Sequence, residues 1–382
     1  MSLLDKASLI VTPNAYKASK LYSVIPSSGT GDMTVVRATT ATRVNSAGLI
    51  ESVAVNVPRI DYTNESCPSL LLEVQRTNLN STSNLSGWGS LPTTIRTYNT
   101  TDLLSPDGTN NATKIQSTLI TEDVSNVITV ANGAVTFSFY GRVLSGTKTI
   151  QVDVRNNSGT IVTLSPTLTT QWQRFTITNL NSGTGSSGAV WFYPNSIGNI
   201  YIYGAQMEQG AYATSLIPTV ASTVTRNADA ISKTGISSLI GQTEGVLFIE
   251  SAALANDFTS RIISISDGTL NNRIIINYST SSNTIQLNVF SGGTAITLIN
   301  YVVSDTTQFA KIAVRYSNTL GYSLWVNGVN RGSSVSTTIP ASMSRLGFDN
   351  GSGGTFFVSK IKQVNLYKIA LSNTEMATLT TL

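Results

Sequence analysis

The 382-residue sequence predicts a mainly β protein: two consecutive antiparallel β-sandwich or jelly-roll domains that follow an extended N-terminal attachment segment. Three observations predict it. Stretches of β-branched and aromatic residues alternate with short runs of Ser, Thr, Asn and Gly, a pattern that favours strands and turns over helices. Several of these stretches alternate apolar and polar residues with a period of two, as half-buried strands do. The chain is also too long for one core, since single cores stop growing near roughly 250 residues.

Residues 1–75 mix short apolar runs with Pro and Gly and show little alternation. Such a segment is expected to find burial on a partner, or on copies of itself, rather than in a core of its own. From 76 to 219 the period-two reading takes over. In 149–155, Ile150, Val152 and Val154 point one way, and Gln151, Asp153 and Arg155 the other. Asn156-Asn157-Ser158-Gly159 then turns the chain into a hairpin with 161–164. Further strands are expected at 135–140, 172–178, 190–193 and 200–203, which together read as a jelly roll.

Residues 220–238 are polar and read as a linker. A second all-β block follows over 239–382, with strands at 246–250, 261–266, 273–278, 284–290, 311–316, 323–326 and 360–369. Asn327-Gly328 is the sharpest hairpin signal, because a type I′ turn needs positive φ at both central positions. One helix is expected near the end, where Ser372 and Glu375 form a capping box ahead of Met376 and Leu379.

Composition removes whole classes of function. Charged residues make up 12% of the chain against about 25% in an ordinary soluble protein. The 24 basic and 20 acidic residues form no runs, so no cationic stripe is present to follow a phosphate backbone and nucleic acid is not an expected partner. Histidine is absent and Cys67 is the single cysteine. Imidazole bases, His-based triads, Cys/His zinc sites and intramolecular disulfides are therefore excluded. Cys67 reads as a small buried apolar residue, with an intermolecular disulfide as the alternative. No secretory signal and no apolar stretch near the roughly 20 residues of a membrane span is visible, so synthesis in the cytosol of the producing cell, without membrane insertion, is expected.

Glycoside hydrolysis needs two carboxylates about 5 to 9.5 Å apart across the scissile bond. Glu244, Glu250 and Asp257 are too scattered to form the spacing such strands carry, and Glu122-Asp123 sits in a polar loop. The chain is therefore expected not to be an enzyme, and no catalytic residue is assigned. Candidate sugar-stacking residues are aromatic: Trp191 with Tyr193 on one strand face, Tyr201 with Tyr203 on another, and Trp88 in a loop-like stretch expected to be exposed. For either strand pair, core packing is the plainer reading. Trp172 and Trp325, in strongly apolar strands, are assigned to the core. No cofactor is expected. A structural calcium ion could sit in the oxygen-rich loop Asp107-Gly108-Thr109-Asn110-Asn111, whose plain alternative is an Asp-Gly turn.

Four stretches carry a resemblance. Residues 37–51 (RATTATRVNSAGLIE), 56–62 (NVPRIDY), 73–79 (EVQRTNL) and 204–219 (GAQMEQGAYATSLIPT) resemble a signature of bacteriophage virion appendage proteins of the head-spike, head-fibre or tail-fibre type. The last stretch looks like the closing strand of their carbohydrate-binding-module-like jelly roll. The C-terminal block, through 322–328 (YSLWVNG) and 361–379, resembles the concanavalin-A-like or laminin-G-like sandwich. The resemblance implies a virion location and a homo-oligomer, expected as a homotrimer. It further implies attachment through the N-terminal segment, to a capsid or a tail protein; the expected function, resting on the aromatic candidates, is display of the sandwiches to host-surface glycan. A tail fibre or receptor-binding protein, or a decoration protein without glycan binding, is the alternative.

Overall fold

The computed structural model describes residues 2–17, 20–91, 93–119, 123–181 and 187–382. Strands take up 50% of the chain and helices 4%, in antiparallel sheets, so the fold class is the one the alternation predicts. Among the described residues no helix is long and apolar enough to cross a membrane.

The chain folds into two compact units that are not consecutive in sequence. One comprises Met1–Ala38, Val53–Val74 and Ala228–Leu382, the other Thr39–Ser52 and Gln75–Asn227. The sequential layout expected from the sequence, with a free arm over 1–75 and a linker over 220–238, is thereby corrected. Ala7–Lys17 is a strand paired with Ser359–Tyr367, with Leu9 opposite Leu366 and Val11 opposite Val364. Ser69–Leu72, buried at all four positions, pairs with the same strand. The segment does need a partner surface, and its own chain supplies it: the C-terminal part for Ala7–Lys17 and Ser69–Leu72, and the second unit for Thr39–Ser52, where Ile50 packs with Ala112, Tyr203 and Leu216. Leu9, Ile10 and Val11 are buried in succession, which is why no alternation shows in the sequence. In the former linker, Ala230–Thr234 is inserted between Arg345–Gly347 and Thr34–Val36, and Val224–Arg226 pairs with Arg76–Asn78. Strands this short have no period of their own to read.

The first unit is a sandwich of a nine-stranded and a seven-stranded sheet. Leu247, Ile249, Ile263, Ile265, Ile274, Ile276, Leu287, Ile312 and Leu324 are fully buried in one apolar cluster, each contributing about 1.5 to 3 kcal/mol by leaving water. Val246 and Phe248 point to the other side of Glu244–Ala253. There they meet Trp325, a core residue as expected, and Met376 of the C-terminal helix Asn373–Thr380. The Ser372 and Glu375 capping box is formed. The Asn327-Gly328 turn has φ of 50° and 82°, as a type I′ turn requires.

The same unit contains a buried ionic group assembled from the supposed arm and the supposed linker. Arg37 contacts Asp229 at 2.8 Å, Arg59 contacts Glu73 at 2.6 Å and also reaches Asp229. All four side chains are at most 4% exposed. Burial alone would lower the Arg59 pKa, yet Asp229 and then Glu73 raise it above its ordinary value. Removing one member of such a group is destabilising by about 3 to 5 kcal/mol, because an uncompensated charge stays buried.

The second unit sets two five-stranded sheets face to face. One runs Ile95–Thr97, Thr113–Ser117, Gly198–Gln209, Gly133–Arg142, Gln173–Asn181; the other runs Ile161–Leu164, Gln151–Arg155, Ser187–Tyr193, Val124–Thr129, Gly89–Ser90. Val152, Val154, Val190 and Phe192 point inward and are fully buried. The hairpin after Arg155 turns as expected, with Asn156 Oδ1 accepting from the amides of Ser158 and Thr160.

Candidate functional site

The outer face of the sheet that carries Ser187–Tyr193 brings together the groups a sugar-binding surface uses. Because successive side chains in a strand point to opposite faces, the inward Val190 and Phe192 put Trp191 and Tyr193 outside, both half-buried. Cross-strand register then sets the neighbours. Trp191 lies between Asp153 and Ser125, Tyr193 lies beside Gln151, and Thr163 lies beyond Asp153. The outer ends of the neighbouring row are the exposed Val127 and Ile161.

The polar groups on this face are ordered. The Gln151 amide donates to both oxygens of Asp153 at 3.0 and 3.1 Å, and the Thr163 hydroxyl donates to Asp153 Oδ1 at 2.7 Å. Burial raises the Tyr193 pKa, with Asp153 and Asp123 adding to the shift, and burial raises the Asp123 pKa as well. The indole N–H distinguishes Trp191 from the other three tryptophans. Trp88 donates to Asn80 Oδ1, Trp172 to the Leu104 carbonyl and Trp325 to Ser323 Oγ. Trp191 has no such partner among the described residues, nor has the Tyr193 hydroxyl. A half-exposed indole with its donor unengaged, beside a phenol, an amide and a carboxylate, can stack on the apolar face of a sugar ring while bonding to its hydroxyls.

Tyr201 and Tyr203 share a face of Gly198–Gln209 but are not open to solvent. They are 0% and 7% exposed, and their hydroxyls donate to Asp102 at 2.7 Å and Asp107 at 3.1 Å. Burial and then the bonded Asp102 carboxylate push the Tyr201 pKa up to about 12. Burial followed by Asp107 pushes Tyr203 well above its ordinary value. This pair is packing, one of the two readings the sequence left open. Tyr201 does border a cleft of about 400 Å³ with Val143, Leu144, Lys148, Ile197 and Asn199. The Lys148 ammonium there donates to the Ser196 carbonyl at 2.8 Å, and no paired carboxylates line the cleft.

Trp88 is a correction. It is 2% exposed, packed against Phe137 and Phe192 at centroid distances of 6.3 and 5.8 Å. Its stretch is a turn, as expected, but a turn bearing a large apolar ring folds inward when a core lies beneath it. Trp172 is corrected in the opposite sense: it is half-buried, edge-on to Tyr203 with the Arg142 guanidinium over its ring. Cys67 is exposed rather than buried, since it sits in the loop between the paired strands Ile60–Asp61 and Ser69–Leu72, where side chains face water.

The oxygen-rich loop at Asp107 is the Asp-Gly turn. Its carboxylate accepts from Ser105, Thr109, Asn111 and Tyr203, and Gly108 has φ of 77°. Among the described residues no group of three or more His, Cys, Asp or Glu could hold a metal. Of the carboxylates weighed for hydrolysis, Asp257 is paired with Arg261 at 2.6 Å. Glu250 lies across from Lys311 and Gln363, and Glu122 lies outside the described residues.

The sequence could not separate the open aromatic pair from the covered one. A signal was present nonetheless: Trp191 and Tyr193 face a strand with Gln151, Asp153 and Arg155 on its outward side, and that alternation was readable.

Similar solved structures include the CBM40 module of the Ruminococcus gnavus IT-sialidase bound to α2,3 sialyllactose, at 12% identity and TM-score 0.33, over 38% of this chain and 86% of that one. Domain 4 of AbnA, a GH43 extracellular arabinanase from Geobacillus stearothermophilus in complex with arabinotriose, is similar at 12% identity and TM-score 0.33, over 45% of this chain and 84% of that one. The enzymatically active domain of bacteriophage CBA120 tailspike protein 4 is similar at 12% identity and TM-score 0.28, over 36% of this chain and 22% of that one. No curated protein matches the sequence. Residues 249–377 match the Concanavalin A-like lectin/glucanases superfamily, so the C-terminal part of the chain carries a concanavalin A-like lectin/glucanase domain.

Proposed function

We propose that this chain is a structural phage appendage protein, a head fibre or spike, that holds host-surface glycan without transforming it. The observation that carries the glycan reading is the outward Trp191 and Tyr193 pair beside Asp153, Gln151 and Thr163. An aromatic platform with ordered polar neighbours binds by shape and hydrogen bonding. The reading as a binder rather than an enzyme rests on Asp153, the carboxylate beside Trp191, being engaged in hydrogen bonds with Gln151 and Thr163.

The virion placement rests on the sequence stretches 37–51, 56–62, 73–79 and 204–219. Attachment through the N-terminal segment now means attachment through a folded unit, because Ala7–Lys17 and Ser69–Leu72 are strands of its nine-stranded sheet. The homotrimer keeps the support of the resemblance but not that of an unburied arm. Binding of the full chain to an array of bacterial-surface oligosaccharides tests the glycan reading, with Trp191→Ala as the site control. Retention lost in that variant is expected, with the melting temperature lowered by no more than a few degrees. A blank array, or retention indifferent to Trp191→Ala, would sink it and leave a decoration protein. Immunolabelling of phage particles tests the placement, with label on the capsid expected.

A further inference from the structure

The hydrogen-bonding polarity of the Trp191 and Tyr193 face carries a conclusion about which glycans it admits. The Gln151 amide nitrogen donates to both oxygens of Asp153, and the Thr163 hydroxyl donates to Asp153 Oδ1. What these three side chains offer beyond those bonds is mostly acceptors: the Gln151 carbonyl, the Thr163 oxygen and the remaining lone pairs of the Asp153 carboxylate, which accepts and never donates when ionised. The indole N–H of Trp191 and the hydroxyls of Tyr193 and Ser125 add neutral donors that carry no charge. Aromatic faces also carry negative electrostatic potential.

No cation balances this. Asp153 is 7% exposed and forms no ion pair among the described residues. Arg155 projects from the same face of the same strand, but two residues on, about 7 Å along the strand. Its guanidinium lies against the hairpin turn, with Nη2 3.4 Å from where a side-chain carbon at Gly159 would be. Asp123 adds a second carboxylate near Tyr193, felt there together with Asp153 as a rise in the phenol's pKa.

We infer that this face selects uncharged glycans, whose hydroxyls donate to Asp153, Gln151 and Thr163, and rejects glycans bearing carboxylate or phosphate. The inference rests on the reading of the face as a glycan platform and specifies its ligand class. A neutral pyranose supplies donors where acceptors wait, and lays its C–H face on the Trp191 ring. An acidic sugar brings a like charge to a partly dewatered carboxylate, where repulsion is weakly screened.

The test uses the full chain on an array in which each neutral oligosaccharide stands beside the same oligosaccharide carrying a uronic acid or a phosphate. Retention of neutral members is expected, with acidic counterparts held at least about tenfold more weakly and with all retention lost in Trp191→Ala. Asp153→Asn should narrow the gap by raising retention of the acidic members. Asp123→Asn should narrow it less, and it leaves the Gln151 and Thr163 bonds in place should Asp153→Asn fold poorly. Acidic members bound as well as neutral ones, in a Trp191-dependent way, overturn the charge selection while the glycan platform stands. No retention of any member, or retention that ignores Trp191→Ala, overturns the platform and the selection together.

Discussion

Two neighbouring strands of the second unit carry the same device to opposite ends. Ser187–Tyr193 and Gly198–Gln209 lie in facing sheets, and each places two aromatic residues two positions apart on its outward side. Trp191 and Tyr193 stay half-exposed with their polar atoms unengaged by described residues. Tyr201 and Tyr203 are covered, their hydroxyls bonded to Asp102 and Asp107. The spacing that makes two rings share a face is a property of the strand. Whether that face meets water depends on a loop that arrives from far upstream in the chain.

The largest expected effect contrasts the two sides of one strand. Phe192→Ala removes a fully buried ring that meets Phe139 edge-on at 4.9 Å and Phe137 at 5.7 Å, and should cost about 3 to 5 kcal/mol in denaturant unfolding. Trp191→Ala, one residue away, should cost about 1 kcal/mol or less. Equal losses would mean that the outward face is not outward.

Next in size is the contrast between the pairs. Tyr203→Phe deletes the bond to Asp107 and should lower stability by about 1 to 3 kcal/mol with glycan retention unchanged. Tyr193→Phe should change stability by under about 0.5 kcal/mol. Reduced glycan retention in Tyr203→Phe would return the covered pair to candidacy.

The smallest effect is a titration. Tyr201 ionises in the folded protein only near pH 12, against about 10 for a free phenol. The unfolded chain therefore releases this proton first, and the stabilisation from the protonated phenol is complete below about pH 10 and declines as pH rises toward and through 12. Ultraviolet titration of Tyr201→Phe should lack one late-ionising phenol relative to the parent, and loss of an early one instead would contradict the covered position.

The strands themselves were legible where one face is buried and the other wet, as at Gln151–Arg155, where Val152 and Val154 alternate with polar neighbours. They were least legible where both faces are covered. Ser69–Leu72 and the run Leu9, Ile10, Val11 give no alternation, because sheet and sandwich bury both sides. Asp229 lay in a polar stretch that reads as a linker, yet it bonds Arg37 and Arg59 in the interior. A buried charge and a solvated one look identical until the partner, here about 190 residues away in the case of Arg37, is known.

By itself the sequence determined the strand-rich class, the turns at Asn327-Gly328 and Asn156 to Gly159, the capped terminal helix, and the lack of imidazole and disulfide chemistry. These are local, since backbone preference and side-chain alternation act within a few residues. Tertiary structure alone decided that the N-terminal strands complete the C-terminal sandwich, that Trp88 turns inward and Cys67 outward, and that Trp191 rather than Tyr201 stays open. Each of these depends on which distant segment covers a surface, and burial is a property of the pair of surfaces rather than of either one.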